Sequence, residues 1–197
     1  MPLTDSDTGA GAVGGLRVQA AAVVTATAGA GAMLSLSAIS IPVVLDTNST
    51  PAHMVTQWIR IYHYGLIILP ATCIATCMLY VYLAFSKRYV TNTSTNTPNH
   101  KDKHKHKTSH SHSRTYALAG VSTLAMVPFT WGVMAPTNNM LFALGEDGVE
   151  LDELGLGAVR ALVVRWSLLH VARSLFPLVG AIVGVMGLVR ETLSDGQ

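Results

Sequence analysis

The chain has 197 residues, 50% of them hydrophobic and 12% charged, with a mean hydropathy of +0.40. An ordinary soluble domain carries about 25% charged residues, so this composition argues against a water-soluble globule and for a chain dissolved in lipid. The formal net charge of +2 conceals one strongly basic segment, an asymmetry that bears on orientation in a membrane and gives no ground for a nucleic-acid partner.

Residues 1–16, rich in Gly, Ala, Thr and Asp and without apolar periodicity, read as a disordered leader. Residues 18–45 hold no acidic or basic side chain and outrun the apolar stretch of a cleaved signal peptide, which predicts a retained first span, although Ala26-Thr27-Ala28 would suit cleavage. Its Ala28-Gly29-Ala30-Gly31-Ala32 core would let a neighbouring helix approach closely. After a turn-rich break at 46–51, residues 52–64 predict a short helix along the membrane surface with Trp58 and Tyr62 four apart on one face. That face is either an interfacial aromatic belt or a wall against a ligand.

The second span is predicted at 65–85, with Pro70 tolerated as a kink. Cys73 and Cys77 lie inside it and read as small core residues rather than a disulfide. Residues 87–114 interleave Lys and Arg with His100, His104, His106, His110 and His112 and predict a disordered, solvated loop. Imidazoles there could ligate a transition metal, but the neighbouring ammonium groups oppose a cation, and contact with anionic lipid heads is the simpler reading.

The third span is predicted at 116–135. The connection over 137–160 carries Glu146, Asp147, Glu150, Asp152 and Glu153 and reads as a solvated acidic loop without the alternating oxygen ligands of a calcium site. The fourth span, 161–189, has Pro177 as a kink and Gly180, Gly184 and Gly187 as a smooth packing face, and 191–197 form a tail. The expected fold is all-α, an integral membrane four-helix bundle with a short interfacial helix between spans 1 and 2. Arg17, the basic loop and Arg190 fall on one side of such a bundle against Arg60, Arg160 and Arg165 on the other, which puts both termini in the cytoplasm, in the endoplasmic reticulum or another endomembrane. Of two glycosylation sequons, Asn48-Ser49-Thr50 would then face the lumen and Asn92-Thr93-Ser94 the cytosol.

Two polar constellations interrupt the apolar pattern. Met134-Ala135-Pro136-Thr137-Asn138-Asn139 predicts a helix stop at Pro136, with free carbonyls beside Thr137 and two amides that either satisfy chain ends or form a site. In the fourth span Trp166, His170 and Arg173 are spaced four and three apart, one stripe of a helix. An ionisable pair inside a span is expensive unless it faces a cavity or a partner, and no carboxylate lies inside the predicted spans to neutralise Arg173. Backbone carbonyls, the amides of Asn138 and Asn139, His170 or an anionic ligand remain as partners. All of these groups are expected at the lumenal end.

The four-span layout, Trp58-x-x-x-Tyr62-x-x-Gly65, the Met134-to-Leu141 segment with its Pro-Thr-Asn-Asn core, and Trp166 with Arg173 together resemble the small membrane family of fungal anthrone oxygenases over nearly the whole chain. The resemblance implies oxidation of an anthrone to the anthraquinone with dioxygen, in the biosynthesis of aromatic polyketides. It also implies an anthrone substrate held in a lipid bilayer, and association with other enzymes of such a pathway. With no dinucleotide, haem or flavin signature, the expected chemistry needs no cofactor beyond dioxygen as co-substrate. On that reading His170 is the general base, Arg173, Asn138 and Asn139 hold the developing enolate oxygen, and Trp58, Tyr62 and Trp166 stack on the flat substrate. The alternatives are a non-catalytic four-span scaffold and a small metal or metabolite carrier using the His/Lys loop.

Overall fold

The computed structural model describes residues 6–93, 102–146 and 150–195. Of the five histidines on which the metal reading of the His/Lys loop rests, only the His112 side chain lies among the described ones. Within the described residues every position is helical except 48–50 and Ala125. A chain this apolar in lipid must satisfy its own backbone, and a helix does so within one segment.

The order is α1 (Ser6–Ser35), a π-helical turn (Leu36–Ser40), α2 (Ile41–Thr47), α3 (Pro51–Thr93), α4 (Asp102–Leu124), α5 (Met126–Phe129), a second π-helical turn (Thr130–Met134), α6 (Ala135–Glu146) and α7 (Glu150–Asp195). Four stretches are long and apolar enough to cross a membrane: Gly14–Thr47, Pro51–Arg88, His112–Glu146 and Leu154–Leu193. Each contains one of the apolar runs read from the sequence, so the all-α, four-span architecture holds.

The boundaries differ in instructive ways. Helix α1 starts at Ser6, inside the stretch read as a disordered leader. The short surface helix is not separate: α3 runs unbroken from Pro51, a favoured first helical residue, through Gly65 and Pro70 to Thr93. Residues 87–93 and 102–114 of the expected loop are likewise helical. Hydropathy marks where a helix leaves hydrocarbon, whereas the backbone bonds continue as long as the residues tolerate them. The acidic connection is mostly helix too, since α6 reaches Glu146 and α7 begins at Glu150, and its Leu, Ala and Glu residues are good helix formers. Gly155, at φ +74, supplies the break inside that stretch, a conformation available mainly to glycine.

The chain divides into two compact units, each gathering a portion of all four spans. The first comprises 1–27, 74–124 and 177–197. Its core joins Ala22, Ala26, Tyr80, Leu83, Tyr116, Ala119 and Ala181. The glycine face expected on the fourth span is what admits the tyrosines. A Cβ at Gly184 would collide with the Tyr80 ring, one at Gly187 would come within 3.2 Å of Tyr116, and one at Gly180 would strike Thr123 and lie 2.8 Å from the Ala119 carbonyl. The Tyr80 hydroxyl donates to the Gly180 carbonyl at 3.2 Å. Glu191 gathers the polar groups of this unit, accepting from Gln19 Nε2 at 2.7 Å and Tyr116 Oη at 3.4 Å and pairing with Lys87.

The second unit comprises 28–73 and 125–176. Its main core packs Ile41, Val44, Met54, Val55, Trp58, Met134, Leu141, Leu144, Val159, Val163 and Trp166. Gly29 lies against Thr72, so the small-residue core of the first span does bring α1 and α3 close. Both cysteines are free thiols, and Cys73 packs in this unit against Met126, sulfur to sulfur at 3.2 Å.

Candidate functional site

The two π-turns decide which side chains face inward in the second unit. In each, a backbone N–H reaches five residues back, Ile41 to the Leu36 carbonyl and Ala135 to the Thr130 carbonyl. Each is followed, one residue on, by a proline, Pro42 after Ile41 and Pro136 after Ala135. A proline inside a helix has no N–H to give and its ring crowds the carbonyl four residues earlier. A turn widened by one residue relieves that crowding, and widened turns recur at functional sites. The helix therefore does not stop at Pro136. It continues as α6 with Thr137, Asn138, Leu141 and Leu144 buried.

Asn138 is 5% exposed and its Oδ1 accepts from Trp166 Nε1 at 2.9 Å. An indole nitrogen can only donate, so this bond fixes the orientation of the amide and leaves Nδ2 as its free donor end. Asn139, the next residue round the helix, is exposed and makes none of these contacts. The structure thus does not bring it to the site, because adjacent helical residues point about 100° apart.

Trp58, Tyr62, Phe142, Trp166 and His170 form a continuous aromatic wall. Ring centroids lie 5.4 Å apart for Trp58–Tyr62, 5.2 Å for Trp58–Phe142, 5.6 Å for Trp58–Trp166 and 4.8 Å for Trp166–His170. Trp58 is 0% and Trp166 2% exposed, so their faces are occupied by one another and by their neighbours. Tyr62 is partly exposed and is the member of the three with surface to offer.

His170, 1% exposed, is held at both nitrogens. Arg173 donates to Nε2 at 2.9 Å, and Nδ1 lies 3.1 Å from the Ser37 hydroxyl. A guanidinium cannot accept a hydrogen bond, so Nε2 is the acceptor, the ring is neutral and its proton sits on Nδ1. The Ser37 hydroxyl in turn donates to the Ser167 carbonyl at 3.4 Å. Among the described residues Arg173 has no carboxylate partner. Its Nε is buried with no hydrogen-bond partner. Trp58 Nε1 and Thr137 Oγ1 are also buried and unpartnered in this unit.

Of the seven residues singled out by sequence, six enter this network: Trp58, Tyr62, Asn138, Trp166, His170 and Arg173. Ser37 and Phe142 were missed. Phe142 is one helical turn beyond Asn138 and reads as ordinary core. Ser37 had a signal, a hydroxyl inside a charge-free span five residues before a proline, but it needs the partner helix to give it meaning. Among the described residues no group of three or more His, Cys, Asp or Glu is arranged to hold a metal ion. What the arrangement offers chemically is a neutral imidazole, a cation with an unused N–H, and an oriented amide donor, all beside an aromatic wall.

Comparison with known proteins converges on one family. The sequence model of a family described as anthrone oxygenase matches residues 58–183. Anthrone oxygenase dmxR16 of a Cryptosporiopsis species is 46% identical over 155 residues, covering 79% of this chain and 76% of that protein. Anthrone oxygenase nsrD of Aspergillus novofumigatus is 46% identical over 174 residues, 88% and 94% of the two chains. Anthrone oxygenase AgnL2 of Paecilomyces divaricatus is 43% identical over 172 residues, 86% and 93%. No solved structure matches. The region matched by the family model takes in every residue of the network except Ser37.

Proposed function

Because the chain belongs to the anthrone oxygenase family, we propose that it is a membrane-bound oxygenase converting a polyketide anthrone to the corresponding anthraquinone with dioxygen. The overall change is one CH₂ to C=O: the substrate and dioxygen give the quinone and one water. The central methylene of an anthrone is acidic, and its anion is electron-rich enough to reduce dioxygen directly. The reaction therefore proceeds on the protein's own groups with dioxygen as the only co-substrate.

His170 takes the methylene proton at Nε2. In the resting site that lone pair is covered by Arg173, so binding must uncover it. The substrate carbonyl, which becomes the enolate oxygen, draws the guanidinium onto itself and satisfies the unpaired Nε at the same time. The Nδ2 donor of Asn138 faces the same developing charge. Dioxygen adds at the carbanion to give a peroxide. Loss of the second methylene proton with cleavage of the O–O bond then leaves the carbonyl and releases water. Tyr62 stacks on the flat rings, while Trp58 and Trp166 back it and keep water from the peroxide.

The observation that carries this reading is His170 held between the Ser37 hydroxyl and an arginine that has no carboxylate partner among the described residues. Reconstituted membranes given an anthrone under labelled dioxygen should put one labelled atom in the new quinone carbonyl. Label only in water, or activity abolished by chelators and restored by iron or copper, overturns the scheme. The same reading sets the protein in an endomembrane with both termini cytoplasmic and in association with other enzymes of its pathway. Protease protection of terminal tags tests the orientation.

A further inference from the structure

We infer that Ser37 is a positioning residue for His170, selecting the imidazole tautomer that can act as a base. The inference rests on the role proposed for His170. In water a neutral imidazole favours the tautomer with its proton on Nε2. This site needs the opposite one, because an Nε2–H would point at the donors of Arg173 and leave no lone pair for the substrate. Holding the proton on Nδ1 requires an acceptor there, and the Ser37 oxygen at 3.1 Å is that acceptor.

Three features make Ser37 suited to accept. Its own proton is directed to the Ser167 carbonyl, 3.4 Å away, which turns its lone pairs toward the ring. It is 6% exposed, so water does not compete with it for Nδ1. It also lies in the π-turn Leu36–Ser40. The buried positions there, Met33, Ser37 and Ile41, are separated by steps of four, each of which would turn about 40° off the seam in an ordinary α-helix. The widened turn accommodates the extra residue and keeps the serine against α7. When His170 takes the substrate proton, Nδ1–H stays on Ser37 and the new charge is shared with that oxygen.

The test is a double-mutant cycle in reconstituted membranes with an anthrone as substrate. Ser37→Ala should lower kcat roughly tenfold to a hundredfold with KM little changed, as for other hydrogen-bond partners that orient a histidine. Ser37→Thr, which keeps the hydroxyl, should retain most of the activity. In a His170→Ala background Ser37→Ala should have no further effect. Nitrogen NMR of histidine-labelled protein, with the His170 signal assigned by its loss in His170→Ala, should show the Nδ1–H tautomer in the parent and a mixture in Ser37→Ala. If Ser37→Ala does not fold, Ser37→Cys, a weak acceptor of similar size, carries the same comparison. Unchanged kcat and tautomer in the Ala or Cys variant, or a full effect persisting without His170, overturns the inference. Unchanged turnover in His170→Ala itself overturns instead the reading on which it rests.

Discussion

The two units are built from the same four spans and treat their polar atoms in opposite ways. In the unit around Tyr80 and Tyr116, glycines let rings seat against backbone, and hydroxyls, amide and carboxylate converge on one another at Gly180 and Glu191. In the unit around Trp58 and His170 lie both π-turns and all four of the buried side-chain atoms found without a partner among the described residues: Asn48 Oδ1, Trp58 Nε1, Thr137 Oγ1 and Arg173 Nε. An unpaired buried polar atom costs about 1–3 kcal/mol. The fold satisfies such atoms in one half and concentrates its unused hydrogen-bonding capacity in the other. On the proposed mechanism one half serves cohesion and the other chemistry.

That contrast can be broken by substitution. The largest effect belongs to His170→Ala, expected to lower turnover per folded molecule by about a hundredfold or more, and, because it leaves Arg173 and Ser37 without their partner, to cost about 1–3 kcal/mol in thermal melts as well. An unchanged rate would remove the chemical half of the contrast. Arg173→Met, which keeps length and removes the charge, should cost roughly a hundredfold in kcat/KM, checked with the same assay. In the other unit, Gly180→Ala meets a backbone carbonyl that cannot step aside, and should destabilise by about 1–3 kcal/mol in thermal melts of detergent-solubilised protein. Its surviving fraction should turn over normally, and a lowered rate per folded molecule would mean that the packing half also shapes the site. Asn138→Ala leaves the Trp166 N–H without its acceptor and should cost about 1–3 kcal/mol in the same melts. The smallest effect is expected of exposed Asn139→Ala, within about 0.5 kcal/mol and with activity near that of the parent.

Much of this was legible in the sequence. Four apolar runs gave four spans because lipid leaves a backbone few alternatives. The glycine face of Gly180, Gly184 and Gly187 also appeared where the spacing put it. Trp166, His170 and Arg173 fell on one stripe because helical spacing is enough to align them. What the sequence hid was the response to proline. Pro136 was expected to end a helix, and the backbone instead widened one turn and carried on, burying Asn138 and turning Asn139 outward. The pairing of Ser37 with His170 joins residues 133 positions apart and follows from packing that no local pattern encodes. The stacking role expected of Trp58 and Trp166 also looks different once their faces are seen to be filled.

Asn48 lies in the break between α2 and α3, where its Nδ2 donates to the Val44 carbonyl at 2.6 Å and to Gln57 Oε1 at 2.8 Å, and the residue is only 4% exposed. The atom to which a sugar chain would be joined is therefore closed off as soon as this corner forms. Oligosaccharide transfer can win only while the corner is still open. A glycan found on Asn48 would then place this corner in the lumen and mean that transfer outran its closing.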